Sequence, residues 1–237
     1  NVAGFVRVTI PSNRLAIISV PMDIFDPSLL GLMGTNQLKP GGAISFANAD
    51  QVWLWDRSGP TPVYAPYALK NTDWQFHSCT NWSGPATNPS LRAGDAMWLR
   101  LGPTSKDTTI TLMGQVVEST SRTNSIGAGP NMVCFPYSCA VKLKDTEFVK
   151  SGLKLGGISY AAADQLWMWN VTGSLYRAYA VKKAGSLTNW YTCDGNWGLP
   201  AGLSDDVVVD IGTGFWLRTI TNTFTWVTTN TYLSNLR

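Results

Sequence analysis

The chain has 237 residues, 44% of them apolar and only 14% charged, against roughly 25% charged in an average globular protein. The formal charge of +3 is spread evenly, with 8 basic and 7 acidic side chains (+1) in residues 1–117 and 10 and 8 (+2) in residues 118–237. No basic stripe exists to hold nucleic acid, and no apolar run approaches the ~20 residues of a membrane-spanning helix, so neither partner is expected.

Apolar alternation over Phe5, Val6, Val8 and Ile10 predicts an opening strand, followed by a second apolar strand over Leu15–Val20. Asp26 before Pro27 reads as an N-cap with proline at the first helical position, ahead of Leu29, Leu30, Leu32 and Met33. After Gly41-Gly42, Trp53 and Trp55 alternate with Val52 and Leu54, which predicts a strand covered on both faces. A Tyr-rich strand follows around Tyr64 and Tyr67, then a Trp-bearing loop, a strand over Met97–Leu101 and a Thr-rich strand over Thr108–Val117.

The same order then returns. Ala49-Asp-Gln-Val-Trp-Leu-Trp-Asp56 reappears as Ala163-Asp-Gln-Leu-Trp-Met-Trp-Asn170, 114 residues on. Leu38-Lys-Pro-Gly-Gly42 matches Leu153-Lys-Leu-Gly-Gly157, Pro21 matches Pro136, and Asn81-Trp82 matches Asn196-Trp197. Gly94-Asp-Ala-Met-Trp-Leu-Arg100 matches Gly212-Thr-Gly-Phe-Trp-Leu-Arg218, while Trp74 is paired with Trp190 and Cys79 with Cys193. Ordered blocks at offsets drifting only from 114 to 118 point to a tandem duplication. The expected architecture is mostly β: two homologous sandwich-like or barrel-like modules, residues 1–117 and 118–237, each with one short helix. In the second module that helix lies within Asp145–Gly152 and ends on a C-cap glycine.

The module resembles a repeated unit of uncharacterised secreted and cell-surface proteins of environmental bacteria. The resemblance rests on Ile18-Ser-Val-Pro21, Trp53-Leu-Trp-Asp56, Arg92-Ala-Gly-Asp-Ala-Met-Trp-Leu-Arg100 and Met113-Gly-Gln-Val116. Cys134-Phe-Pro136, Trp167-Met-Trp-Asn170 and Ile211-Gly-Thr-Gly-Phe-Trp-Leu-Arg218 carry it in the second module. It implies a secreted, non-enzymatic surface protein and offers no catalytic residues. An opening at Asn1 on strand-like sequence, without an initiator Met, fits a mature extracellular chain.

Candidate chemistry is sparse. The single histidine, His77, falls in a loop with no counterpart in the second module, and no nucleophile elbow, phosphate loop or metal pattern occurs. Only two glutamates exist, and the Asp56 of the Trp phrase becomes Asn170 on repetition, which breaks any carboxylate pair. Asp50 and Asp164 recur beside turns, where aspartate caps backbone. Asp205, Asp206 and Asp210 fit no calcium loop and read as a solvated turn. No catalytic residue, cofactor or metal is expected. Four cysteines allow three pairings, of which Cys134–Cys139 and Cys79–Cys193 are favoured.

Two functions remain. In the first, the chain is a subunit of an extracellular filament, sheath or surface layer whose copies pair through lightly charged terminal strands, at Phe5, Val6, Val8, Ile10, Phe224, Trp226 and Val227. In the second, Trp74, Trp82, Trp190 and Trp197, set among Asn, Ser and Gly in loops, bind glycans or another partner.

Overall fold

The computed structural model describes residues 3–231. Its first half contains β1 (Ala3–Ile10), β2 (Leu15–Ser19), the helix α1 (Leu29–Met33), β3 (Gln51–Asp56), β4 (Val63–Lys70), β5 (Gln75–Ser78), β6 (Ala96–Arg100) and β7 (Thr108–Gln115). Its second half contains β8 (Ser121–Ile126), β9 (Gly129–Cys134), β10 (Val141–Lys142), the helix α2 (Phe148–Ser151), β11 (Gln165–Asn170), β12 (Leu175–Ala184), β13 (Leu187–Thr192), β14 (Val208–Val209), β15 (Gly214–Thr219) and β16 (Phe224–Thr229). The chain is mostly β, and its helices are single turns.

Both halves follow one topology. A five-stranded antiparallel sheet runs β2-β6-β3-β4-β5 in the first and β9-β15-β11-β12-β13 in the second. A two-stranded ribbon accompanies each, β1-β7 and β8-β16, and the second half adds the small β10-β14 pair. Registers correspond as well: Trp53 lies opposite Trp98, and Trp167 opposite Trp216.

Each ribbon closes over one face of its sheet. Ile10, Ile110 and Leu112 meet Val52, Leu69, Phe76 and Leu99 in the first core. Ile126 and Trp226 meet Leu166, Val181, Trp190, Phe215 and Leu217 in the second. The other face of each sheet turns to the opposite half, and a third cluster forms there from Ile17, Trp98, Met132, Cys134 and Trp216, flanked by Trp53, Trp55, Trp167, Trp169 and Tyr176. The doubly apolar strand read from the Trp phrase is therefore covered twice, by its own ribbon and by its twin.

Several local expectations are corrected. The N-cap of α1 is Ser28, two residues beyond Asp26; its Oγ accepts from the Gly31 amide at 3.0 Å while Asp26 accepts from the Ser28 amide at 2.9 Å. Glycine at 31 leaves room for that carboxylate, whose carbon would sit 2.3 Å from an added Cβ. α2 does end on Gly152, in the left-handed region at φ +111°. The loop expected after the Tyr-rich strand contains β5 and β13, the outermost strands of the two sheets. His77 consequently sits on a strand and is buried, not in a loop.

The four cysteines are free, contrary to both favoured disulfides. Cys134 sends its thiol across the seam toward the carbonyls of Val20 and Asp95, at 3.7 and 3.4 Å, while Cys139 packs at the edge of the second core. Cys79 and Cys193 follow the outermost strands of two different sheets, each strand lying at the edge opposite β2 or β9.

Candidate functional site

The repeated phrase supplies four tryptophans of the seam, Trp53, Trp55, Trp167 and Trp169, and these flank the buried Trp98 and Trp216. Asp50 and Asp164 are buried clamps. Asp50 accepts from the Lys39 and Gly102 amides at 2.8 and 2.7 Å and from the Ser105 hydroxyl; Asp164 accepts from the Lys154 and Ile220 amides, both at 2.9 Å. They fasten the start of β3 and β11 to flanking loops, so the recurring aspartates do cap backbone, as read from their turns. Gln51 and Gln165 each accept from the first indole of the phrase, Trp53 and Trp167, at 2.9 Å.

The second indole crosses the seam in both directions. Trp55 Nε1 donates to the Pro130 carbonyl at 3.0 Å, and Trp169 Nε1 donates to the Leu15 carbonyl at 2.7 Å. Trp55 lies edge-on to Trp216 at 5.0 Å and 88°, and Trp98 to Trp169 at 5.1 Å and 78°, the edge-to-face geometry that ring quadrupoles favour. Trp98 and Trp216 donate to the hydroxyls of Tyr64 and Tyr176, at 3.2 and 3.1 Å. Burial pushes the Tyr176 phenol up to about 12, so it remains an un-ionised acceptor at neutral pH. Backbone bonds close the joint: Ser19 N donates to Gly212 O and Cys134 N to Gly94 O, both at 3.0 Å.

On one side the aromatic layer opens into a cleft of about 240 Å³. Trp55, Trp167, Trp216, Tyr64 and Tyr176 supply most of its wall, Pro130 one end and Arg218 the only charge. A larger hollow of about 660 Å³ lies beside α2, and most of the ions on its wall are paired: Lys142 and Lys144 both reach Asp206 at 2.9 Å, and Lys150 reaches Glu147 at 3.4 Å.

The loop tryptophans fare differently. Trp190 lies on β13 and is buried in the second core; its register partner Val181 corresponds to Leu69, which faces Phe76, so Phe76 and not Trp74 is its counterpart. Trp82 and Trp197 do correspond, donating to the Gly42 and Gly157 carbonyls at 3.1 and 3.2 Å, each with a lysine ammonium (Lys70, Lys182) over the ring. Those glycine turns need the space, since a Cβ at Gly41 or Gly156 would meet the indole at 2.9 or 2.8 Å. Trp74 alone of the four is exposed, at φ +56°. The terminal-strand residues also divide: Ile10 and Trp226 are fully buried, Val6 nearly so, Val8 and Phe224 pack partly on the cores, and Phe5 and Val227 project outward.

The lone histidine and the cysteines are engaged in structure. His77 bonds Asp73 at 2.9 Å and the Gly84 carbonyl at 3.1 Å. Burial raises the Cys79 thiol to about 11 and those of Cys134 and Cys193 to about 12, far from nucleophilic thiolate. Among the described residues no group of three or more His, Cys, Asp or Glu is placed to hold a metal ion, and no helix is long and apolar enough to cross a membrane. The cleft is not legible in the sequence, because its residues come from six strands. Comparison with protein-family models, curated proteins and solved structures gave no match.

Proposed function

We propose that the chain is a non-enzymatic structural subunit of an extracellular assembly, built by contacts between copies at the β1-β7 ribbon. One observation carries this reading. Phe5 and Met113 lie directly opposite each other on the outer face of that ribbon and are 65% and 66% exposed. Along its other edge β1 makes no backbone hydrogen bond among the described residues, and Arg7 is its one charge. The far edge of β7, by contrast, is sealed: Gln37 exchanges bonds with Thr111, and Asp23 with Gln115. An unguarded strand edge beside an exposed apolar pair is a template for a second chain.

The ribbon of the second half differs where it matters. The outer edge of β8 likewise makes no backbone hydrogen bond among the described residues, but Ser121, Arg122, Thr123, Asn124 and Ser125 make it polar. Unlike edges favour a head-to-tail contact, which continues as a filament when the rotation does not close. Electron microscopy and light scattering of the purified chain test this. Wild type should form polymers or defined oligomers, and Phe5→Lys with Met113→Lys should leave folded monomer; a wild-type chain strictly monomeric at high concentration would overturn it. A glycan-binding role draws less support, because Trp82, Trp190 and Trp197 are occupied within the fold.

A further inference from the structure

Along β15 the side chains alternate: Phe215 and Leu217 enter the second core, while Trp216 and Arg218 lie on the seam side. Arg218 is exposed at the mouth of the aromatic cleft and, among the described residues, has no carboxylate or other acceptor. The indole donors around it are already used. Trp55 serves Pro130, Trp167 serves Gln165 and Trp216 serves Tyr176. A sugar would find ring faces here but few free donors or acceptors for its hydroxyls, and leaving those unmet is costly. What the wall does offer is carbon on several sides and one guanidinium whose planar fork matches a carboxylate.

From this complementarity we infer that the cleft is a binding site for a small, free aromatic carboxylate, its ring against the indoles and its carboxylate on Arg218. About 240 Å³ admits one or two fused rings but not a chain of sugars. The equivalent place across the seam is built differently. Leu15 stands where the cleft has Pro130, and Arg14 stands where it has Gly129. The Arg14 guanidinium donates to Ser174 Oγ at 2.7 Å. Arg100, the counterpart of Arg218, borders a hollow shared with Asn13, Arg14, Leu15 and Pro103 that has no aromatic wall. Arg218 thus borders the aromatic cleft and Arg100 borders a different hollow, so Arg100 serves as an internal control.

The test uses the full chain, 2-naphthoate as probe and 2-naphthylmethanol as its uncharged analogue, with calorimetry for affinity and indole N–H resonances for location. Naphthoate should bind saturably and shift the Trp167 and Trp216 signals. Arg218→Gln should weaken it at least tenfold, to the level of the alcohol, and Arg100→Gln should leave it unchanged. Both arginines are exposed, and an unaltered melting temperature confirms that each variant is folded. No saturable binding to wild type, equal binding by Arg218→Gln, or alcohol binding as tight as the acid would each overturn the inference. The assembly reading rests on a different surface and stands or falls separately.

Discussion

At the scale of single residues, burial separates side chains that look alike in sequence. Trp226 and Trp74 are both indoles in Thr- and Asn-rich surroundings. Trp226 is fully buried, stacks on Phe148 at 4.2 Å and donates to the Thr146 carbonyl at 2.8 Å. Its replacement by alanine should cost about 3–5 kcal/mol in urea unfolding, from lost contacts and a cavity. Trp74→Gly should be neutral or stabilise by up to about 1 kcal/mol, because an exposed side chain is removed and a left-handed backbone position is relieved. Asp50 gives a sharper contrast: alanine there abandons the Lys39 and Gly102 amides and the Ser105 hydroxyl, a loss of about 3–5 kcal/mol, whereas asparagine should cost about half as much.

The thiols make a pH prediction. Burial holds Cys134 and Cys193 un-ionised up to about 12 and Cys79 up to about 11, while in the unfolded chain they ionise near 9. The folded state then keeps protons that the unfolded state releases. Stability should be intact below pH 9 and decline as pH rises from 9 toward 12, by up to about 1.4 kcal/mol per pH unit from the fully buried Cys134 and by less from the partly exposed Cys79 and Cys193. Cys134→Ala should flatten part of that decline in alkaline melting curves. At the acid end the sign reverses. Asp206, held near 2 by bonds from Lys144 and Lys142, stabilises the fold above about 4, and its contribution disappears as pH falls through 2.

Among elements, what the sequence reveals depends on whether one face of a strand is enriched. β1, β3 and β11 alternate strongly, and their positions and faces are readable before any coordinates. β8 is hidden because Ser, Arg, Thr and Asn occupy five of its six positions and only Ile126 enters the core. β5 and β13 are hidden because each buries one large ring amid polar neighbours, so Trp190 reads as a loop tryptophan although its ring is core. The short helices are located by their caps and not by periodicity, and the cap moved because Asp26 bonds Ser28 before Ser28 bonds Gly31. The seam was half legible. Its tryptophans announce a second apolar face, but no pattern in one strand states that the cover is the other half of the same chain.

At the scale of the whole molecule, the seam decides whether the halves behave as one body. Each half has a core built mainly from its own residues, so either could melt alone if the seam were weak. The joint, however, buries Trp98, Trp216, Met132 and Cys134 and couples the sheets through reciprocal indole-to-carbonyl bonds and backbone bonds. A half on its own would leave this tryptophan layer in water, at ~25 cal/mol for each Å² exposed. The intact chain should consequently unfold in a single transition, with calorimetric and van't Hoff enthalpies equal. Trp98→Ala removes the edge contact with Trp169 and opens a cavity at the joint without touching either inner core. That variant should show two resolved transitions, or a calorimetric enthalpy well above the van't Hoff value. If it still melted as one unit at a lower temperature, cohesion would have to reside in the backbone bonds at Gly94 and Gly212, and the indoles would be filling and not fastening the seam.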